Sequence, residues 1–301
     1  MEKPLLNEII TRDLLRGMID LHVHAGPSVA VRKLDAIDMT EAANALEYSA
    51  FVVKDHYYPT MMSAELCNNH IAGKRVKVFG GIALNNSVGG INIKTVDCAY
   101  SMGAKFVYMP TVSSKQHIDT HKGHAFPGAS SRECVEENPI YYLDEDGALE
   151  RSVIEVIDYV SQRDDLVLAT GHSSLEEADA LIKKAHELGV KNIYANHPFY
   201  MIGADISKMR EWADLGAYIE INACVFLFGE TPTPMETAKL IFDEIPLDRI
   251  VIASDLGQKN NCMPIKGMEV FVTALMNHYN ISQEQIHHAT KINPARILDL
   301  Y

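Results

Sequence analysis

Residues 18–24 read Met-Ile-Asp-Leu-His-Val-His, and this stretch sets the interpretation of the whole chain. It is a short apolar run that becomes polar at its carboxyl end, as is typical of a strand buried on both faces of a parallel sheet. Because side chains alternate along a strand, we expect His22 and His24 to project to one side. Leu21 and Val23 are then expected to face the other side. The run predicts a buried strand that presents two imidazoles at its end.

Seven further runs of the same kind follow, each short, apolar and bounded by polar residues or glycine. Amphipathic helical stretches lie between them, for example at 38–47, 175–188, 207–215 and 235–245. The eight predicted strands are 18–24, 50–54, 76–83, 105–110, 166–172, 192–197, 217–222 and 250–255. Because parallel strands need crossover helices, this pattern predicts an α/β fold in the form of a (β/α)8 TIM barrel. A doubly wound open sheet shows the same alternation, but eight units with polar strand ends favour the barrel.

Composition and charge narrow the class of protein. The 301 residues include 27 Lys and Arg against 40 Asp and Glu, a net charge of −13 that disfavours nucleic acid and anionic lipid as partners. Five scattered cysteines without a C-x-x-C pair favour a reducing cytoplasm over a disulfide framework. Neither a secretory signal nor an apolar stretch of membrane-spanning length stands out. We expect one cytoplasmic domain over 1–301 that acts on a small molecule, and the sequence is compatible with a homo-oligomer.

A long insert interrupts the alternation after the fourth predicted strand. Residues 111–147 show little periodicity and are rich in Ser, His and Gly. Loops of this length in a compact domain are usually functional or disordered, and we interpret this one as a lid over the barrel mouth. Three of its histidines would share one face of a helix and are predicted substrate contacts. A supplementary metal site and a solvated loop are the alternatives. The histidines are His117, His121 and His124, and they cluster with Lys115, Lys122 and Arg132.

Other predicted strand ends also carry side chains that bind metal ions. His172, His197 and Asp255 each stand where an apolar run stops, and a barrel would bring them to the same mouth as His22 and His24. Neutral imidazoles and a carboxylate suit zinc, with Mn, Fe or Ni as competitors. These five residues predict a site for one or two divalent cations.

The order of these ligands along the chain resembles the amidohydrolase superfamily of metal-dependent hydrolases. The resemblance rests on H-x-H in the first strand, single histidines in the fifth and sixth, and an aspartate in the eighth, and it extends over residues 18–298. It implies that His22, His24 and Asp255 hold the more buried ion. It implies that His172 and His197 hold the second. Asp255 would also be the catalytic general base for water activated by the metal.

The chain departs from the family pattern at the fourth strand. Binuclear members commonly carry a bridging carboxylated lysine or a glutamate there, but residues 106–111 read Phe-Val-Tyr-Met-Pro-Thr. The second strand ends instead in Lys54, which has two interpretations. It bridges two ions after carboxylation by CO2, or it is a structural or substrate-pairing lysine and the site holds one ion. His56 is a candidate for metal or substrate binding, with an ordinary loop histidine as the alternative.

We therefore predict an enzyme, a metallohydrolase of the amidohydrolase type that cleaves an amide, ester or lactone-like bond with metal-activated water. A mononuclear metal-dependent decarboxylase and a phosphoesterase would use the same ligands on the same barrel. A protein of another class, a non-catalytic metal-binding barrel that serves in interactions, is the remaining alternative.

Overall fold

Eight parallel strands in sequence order form one sheet that curls into a nearly closed barrel. The computed structural model describes residues 13–71, 75–122, 135–228 and 233–301. Between the last strand and the first, the N–H of Asp255 donates to the carbonyl of His22 at 2.8 Å, and the N–H of His24 donates to that of Leu256 at 2.8 Å. The predicted TIM barrel is confirmed. The strands are β1 Ile19–Val23, β2 Ala50–Val53, β3 Lys77–Ala83, β4 Ala104–Tyr108, β5 Val167–Ala169, β6 Asn192–Ala195, β7 Ala217–Asn222 and β8 Ile250–Ala253.

Helices follow the strands and cover the outside of the barrel. The first begins two residues before the predicted start, because the side chain of Asp35 caps it by accepting from the N–H groups of Ile37 at 2.8 Å and Asp38 at 2.9 Å. The helices are α1 Ala36–Ala45, α2 Met61–His70, α3 Ile93–Ser101, α4 Lys115–Thr120, α5 Arg151–Ser161, α6 Leu175–Glu187, α7 Ile206–Asp214, α8 Ala223–Leu227, α9 Met235–Glu244, α10 Pro264–Tyr279, α11 Gln283–His287 and α12 Asn293–Leu298.

The core has two layers. The larger cluster, which includes Trp212 and Phe271, lies between strands and helices, and a smaller one around Phe106 fills the barrel. One expectation about β1 is wrong: Leu21 packs in the inner cluster although Val23 packs in the outer one. The cause is a shift of the β1–β2 register within residues 20–23, which interrupts the alternation of side chains. In the described part of the chain, no helix has both the length and the apolar character that crossing a membrane requires.

Several strands end before the predicted runs do, so the polar residues lie just beyond them. The fifth run was expected to reach residue 172, but β5 covers only Val167–Ala169. Gly171 has a φ of 68°, and a Cβ at that position would lie 2.3 Å from the carbonyl oxygen of Met109. The chain therefore leaves the extended conformation at this glycine, and His172 is carried on the following turn.

The two described ends of the insert are fixed to the carboxyl side of β4 and β5. Ser114 forms an isolated parallel bridge with Ile140. The buried hydroxyl of Tyr142 lies 3.0 Å from the carbonyl oxygens of both Pro110 and Thr170, which share its one proton. Residues 123–134, with His124 and Arg132, lie outside the described residues. The described parts thus stand where a lid would be attached, and the lid itself stays a prediction.

Candidate metal centre

Three of the predicted ligands converge at the mouth of the barrel. Nε2 of His22 lies 3.2 Å from Oδ1 of Asp255, and Nε2 of His24 lies 3.0 Å from the same oxygen. Nζ of Lys54, at the end of β2, is 3.0 Å from Nε2 of His22. The histidines and the lysine are buried, and Asp255 keeps 8% of its surface exposed. Two imidazole nitrogens, a carboxylate oxygen and an amine therefore face one another below the opening.

The remaining predicted histidines continue this cluster. The ring of His197 is centred 5.3 Å from that of His22, and the ring of His172 lies 5.1 Å from that of His197. His56 lies beside them, with its ring 4.9 Å from that of His24 and 5.6 Å from that of His172. The structure thus brings all five predicted metal ligands together and adds His56 to the group.

The histidines of the insert lie next to this cluster. His117 is buried in α4, and its Nδ1 lies 2.8 Å from Nδ1 of His172. His121, which follows the helix, has its ring 4.2 Å from that of His117, so these two are neighbours as the spacing predicted. His124 lies outside the described residues. Of the predicted substrate contacts, His56 and His117 border the ligand cluster directly.

Three of the candidate ligand histidines are fixed through Nδ1. Nδ1 of His22 lies 2.8 Å from the carboxylate of Glu220, and that of His24 lies 3.1 Å from the backbone carbonyl of Lys54. Nδ1 of His197 lies 3.1 Å from the amide oxygen of Asn222. A histidine that binds a metal is usually held in this way through its other ring nitrogen.

The donor set fits a divalent cation. It combines imidazole nitrogens with a carboxylate, which is the chemistry that zinc and related first-row ions prefer. The buried Nε2 of His172 has no hydrogen-bond partner among the described residues, although buried polar atoms are nearly always paired. A bound cation would satisfy this nitrogen.

Burial keeps most of these imidazoles neutral, which is the form that binds metal. It lowers the pKa of His24, His56 and His172 well below the ordinary value, and that of His197 to about 4. Burial also lowers the pKa of Lys54 to about 8. A larger share of this lysine is therefore a neutral amine near neutral pH than is usual for lysine.

Glu220 is a site residue that the sequence interpretation missed. Besides His22, its carboxylate accepts from the hydroxyl of Tyr194 at 3.1 Å, the amide of Asn196 at 3.1 Å and the N–H of His197 at 3.2 Å. Burial opposes its ionisation, but His22 and its hydrogen bond to the carboxylate hold the pKa of Glu220 at about 2. The signal was a charged residue inside the apolar run of β7, which is costly unless the charge is paired.

A buried ion pair beside Lys54 was also missed. The guanidinium of Arg32, in the loop after β1, donates to Asp55 at 3.2 Å, and Ser28 donates to the same carboxylate. Arg32 also lines a cavity of about 360 Å³ formed by residues 26–38. The positive charge of Arg32 adds to the burial that disfavours protonation of His24.

Two candidate ligands have a backbone conformation that is uncommon outside glycine. His197 has a φ of 46° and Asp255 a φ of 51°. Such residues cost free energy and concentrate at functional sites, where the surrounding structure holds them in place. Here the left-handed turn redirects the chain where the strand ends, so that each side chain enters the mouth of the barrel.

Gly257, two residues after Asp255, gives a stability prediction. Its φ is 120°, and a Cβ there would lie 1.7 Å from the carbonyl oxygen of His24. We expect Gly257→Ala to lower the free energy of unfolding by about 3 kcal/mol or more, measured by urea denaturation. Gly189→Ala is the control, because φ is 77° but nothing lies within 4 Å of the added carbon. It should cost about 1 kcal/mol; equal losses in both variants would contradict the steric account.

Comparison with known proteins agrees with this description of the fold. The model of DUF6282, described as a family of unknown function, matches residues 17–220, more than half of the chain. No curated protein matches the sequence significantly. An amidohydrolase from Pseudomonas aeruginosa is 11% identical with a TM-score of 0.59, and the alignment covers 97% of this chain and 98% of that one. The organophosphorus hydrolase from Deinococcus radiodurans is 14% identical with a TM-score of 0.59, covering 96% and 93%.

A third similar structure, described as a 2-pyrone-4,6-dicarboxylic acid hydrolase from Pseudomonas putida, is 9% identical with a TM-score of 0.58, covering 94% of this chain and 97% of that one. At such identities the likeness concerns the fold. The resemblance to amidohydrolase barrels that the sequence predicted is confirmed for the fold.

Proposed function

This chain belongs to the DUF6282 family, and we propose that it is a metal-dependent hydrolase that cleaves an amide, ester or lactone-like bond. The observation that carries the proposal is the approach of His22 Nε2 and His24 Nε2 to one oxygen of Asp255, at 3.2 and 3.0 Å. These atoms come from opposite ends of the chain and are brought together at the carboxyl end of the barrel, where TIM-barrel enzymes carry their active sites. The barrels of similar fold named as hydrolases support the same conclusion.

The residues divide into two ligand groups in this proposal. His22, His24 and Asp255 hold one ion, and His172 and His197 hold the second. When bound, a divalent cation lowers the pKa of water to about 7 and polarises a substrate carbonyl. Zinc is the preferred ion, with Mn, Fe or Ni as alternatives. We further propose a small-molecule substrate and a cytoplasmic location.

Asp255 has the position of a general base. Its carboxylate oxygen lies 3.2 Å from Nε2 of His22 and 3.0 Å from Nε2 of His24, and with 8% of its surface exposed Asp255 is the least buried member of that group. A carboxylate placed there accepts a proton from the attacking water and returns it to the leaving group. The enclosing imidazoles hold the acceptor oxygen in place.

Lys54 is the bridging group of the proposal. Its neutral amine attacks the carbon of CO2, forms an N–C bond and releases one proton, which yields a carbamate with two oxygens. Those oxygens would supply the bridge that the end of β4 lacks. The depressed pKa of Lys54, about 8, supports this step because only the neutral amine reacts.

Metal removal tests the proposed function. Protein purified without added chelator is analysed for metal, dialysed against dipicolinate and assayed on 4-nitrophenyl acetate, a γ-lactone and an N-acetyl amino acid. We expect bound divalent metal, loss of hydrolysis on its removal and recovery with zinc or manganese. Close to two equivalents per chain favours the bridged hydrolytic site, and one equivalent contradicts the bridge and is compatible with both a mononuclear hydrolase and a decarboxylase. Unchanged hydrolysis by the metal-free protein would refute the proposal.

Replacing Lys54 tests the bridge. We expect Lys54→Ala to lose about 100-fold or more in hydrolysis, because a ligand and its charge are removed. Propionate should restore part of the activity, since its carboxylate can occupy the space that the side chain leaves. Lys54→Met is the matched control: it fills that space and should not respond to propionate. Rescue by ethylamine instead of propionate would show that the amine itself is the functional group.

A further inference from the structure

His172, like the other ligand histidines, is held through its Nδ1, but its partner atom is an imidazole nitrogen and not an oxygen. His22, His24 and His197 are each held through Nδ1 by an oxygen acceptor. Nδ1 of His172 lies 2.8 Å from Nδ1 of His117, on helix α4 of the insert. The buried Nε2 of His172 has no hydrogen-bond partner among the described residues.

We propose that His117 is a positioning residue for the metal ligand His172. Its Nδ1 accepts the proton that Nδ1 of His172 donates, which fixes the tautomer of His172 and leaves the lone pair of its Nε2 for the cation. The proposal rests on the proposed function for the presence of that cation. It makes the insert part of the support of the metal site, whereas the sequence analysis predicted His117 as a substrate contact.

The distance between the two nitrogens favours a hydrogen bond over joint coordination of one ion. With Zn–N bonds of about 2.0–2.1 Å and tetrahedral angles, two coordinating nitrogens lie about 3.3 Å apart. The observed separation of 2.8 Å is instead that of a hydrogen bond. His117 therefore acts through His172.

A second contact ties the two residues together. The hydroxyl of Ser114, the N-cap of α4, accepts from the N–H of His117 at 3.1 Å and donates to the carbonyl oxygen of His172 at 2.6 Å. One buried side chain thus fixes the start of the helix against the turn that carries the ligand. Ser114 thus fixes the backbones of His117 and His172 relative to each other. The contact between the two imidazole rings is therefore supported by a second, independent contact.

Zinc affinity measured without any substrate tests the proposal. The protein as purified is stripped of metal and titrated with zinc in competition with a chromophoric chelator, and His172→Ala identifies the binding step that depends on His172. We expect His117→Ala to weaken that step by about 10- to 100-fold, the usual effect of losing the partner of a ligand histidine. His117→Gln should recover most of the affinity, because its amide oxygen can accept the same proton.

Asp119→Ala is the matched control on the same helix, since Asp119 is exposed and pairs with Lys115. It should leave the His172-dependent step unchanged, and thermal melting checks that every variant is folded. Unchanged affinity in His117→Ala overturns the inference and leaves the proposed function standing. A glutamine variant as weak as the alanine variant also overturns it, because His117 would then bind the ion directly. If the wild-type protein binds no zinc, the proposed function fails together with this inference.

Discussion

Asp255→Asn is expected to lower kcat by about 10³-fold, the scale of losing a general base, while the protein remains folded. Asparagine is the informative substitution because Asp255 has a φ of 51°. Asparagine tolerates this left-handed conformation, so the variant removes the carboxylate charge with little backbone strain. The measurement is kcat for the ester, lactone or amide that the wild-type enzyme hydrolyses, together with zinc content and the thermal melting temperature.

Asp299→Asn is the matched control for that variant. Asp299 has a φ of 58°, is exposed, and lies beyond the last helix, away from the metal centre. The same chemical change in the same backbone conformation should leave kcat and melting temperature close to the wild-type values. Full turnover in Asp255→Asn would show that Asp255 is not the general base, whatever the control shows.

Glu220→Gln is expected to lower the free energy of unfolding of the metal-free protein by about 3 kcal/mol. The carboxylate accepts four hydrogen bonds at full burial, and a glutamine amide cannot accept on its nitrogen side. One or two of the buried donors are then left unpaired. The same variant should weaken zinc binding by about 10- to 100-fold, since His22 loses its anchor.

Urea denaturation of metal-free protein separates the two effects, because bound metal itself stabilises the folded state. Glu211→Gln serves as the control, since this glutamate pairs with Lys183 and Lys208 at the surface, where ion pairs contribute little. Its unfolding midpoint should stay near that of the wild type. A Glu220→Gln variant as stable as this control, with unchanged zinc affinity, would show that Glu220 does not support the site.

The sequence by itself determined the barrel and most of the candidate metal ligands. Each of the eight strands lies within or nearly within a predicted apolar run, because a strand buried on both faces needs a short apolar segment and a helix to return. The strand ends of a barrel meet at one mouth, so His22, His172 and Asp255 could be grouped before any contact was known. The order of apolar and polar residues within each short segment is therefore enough to predict the strands and the residues at their ends.

Only the tertiary structure decided how each ring is oriented and what holds it. Glu220 and His22 are 198 residues apart, and His117 and His172 are 55 apart, yet each pair meets at 2.8 Å. No periodicity specifies which nitrogen of an imidazole faces a partner, because that depends on the packing of strands and loops that are distant in sequence. The pattern of residues names the groups that can bind a metal, and their long-range hydrogen bonds determine which atoms remain free to do so.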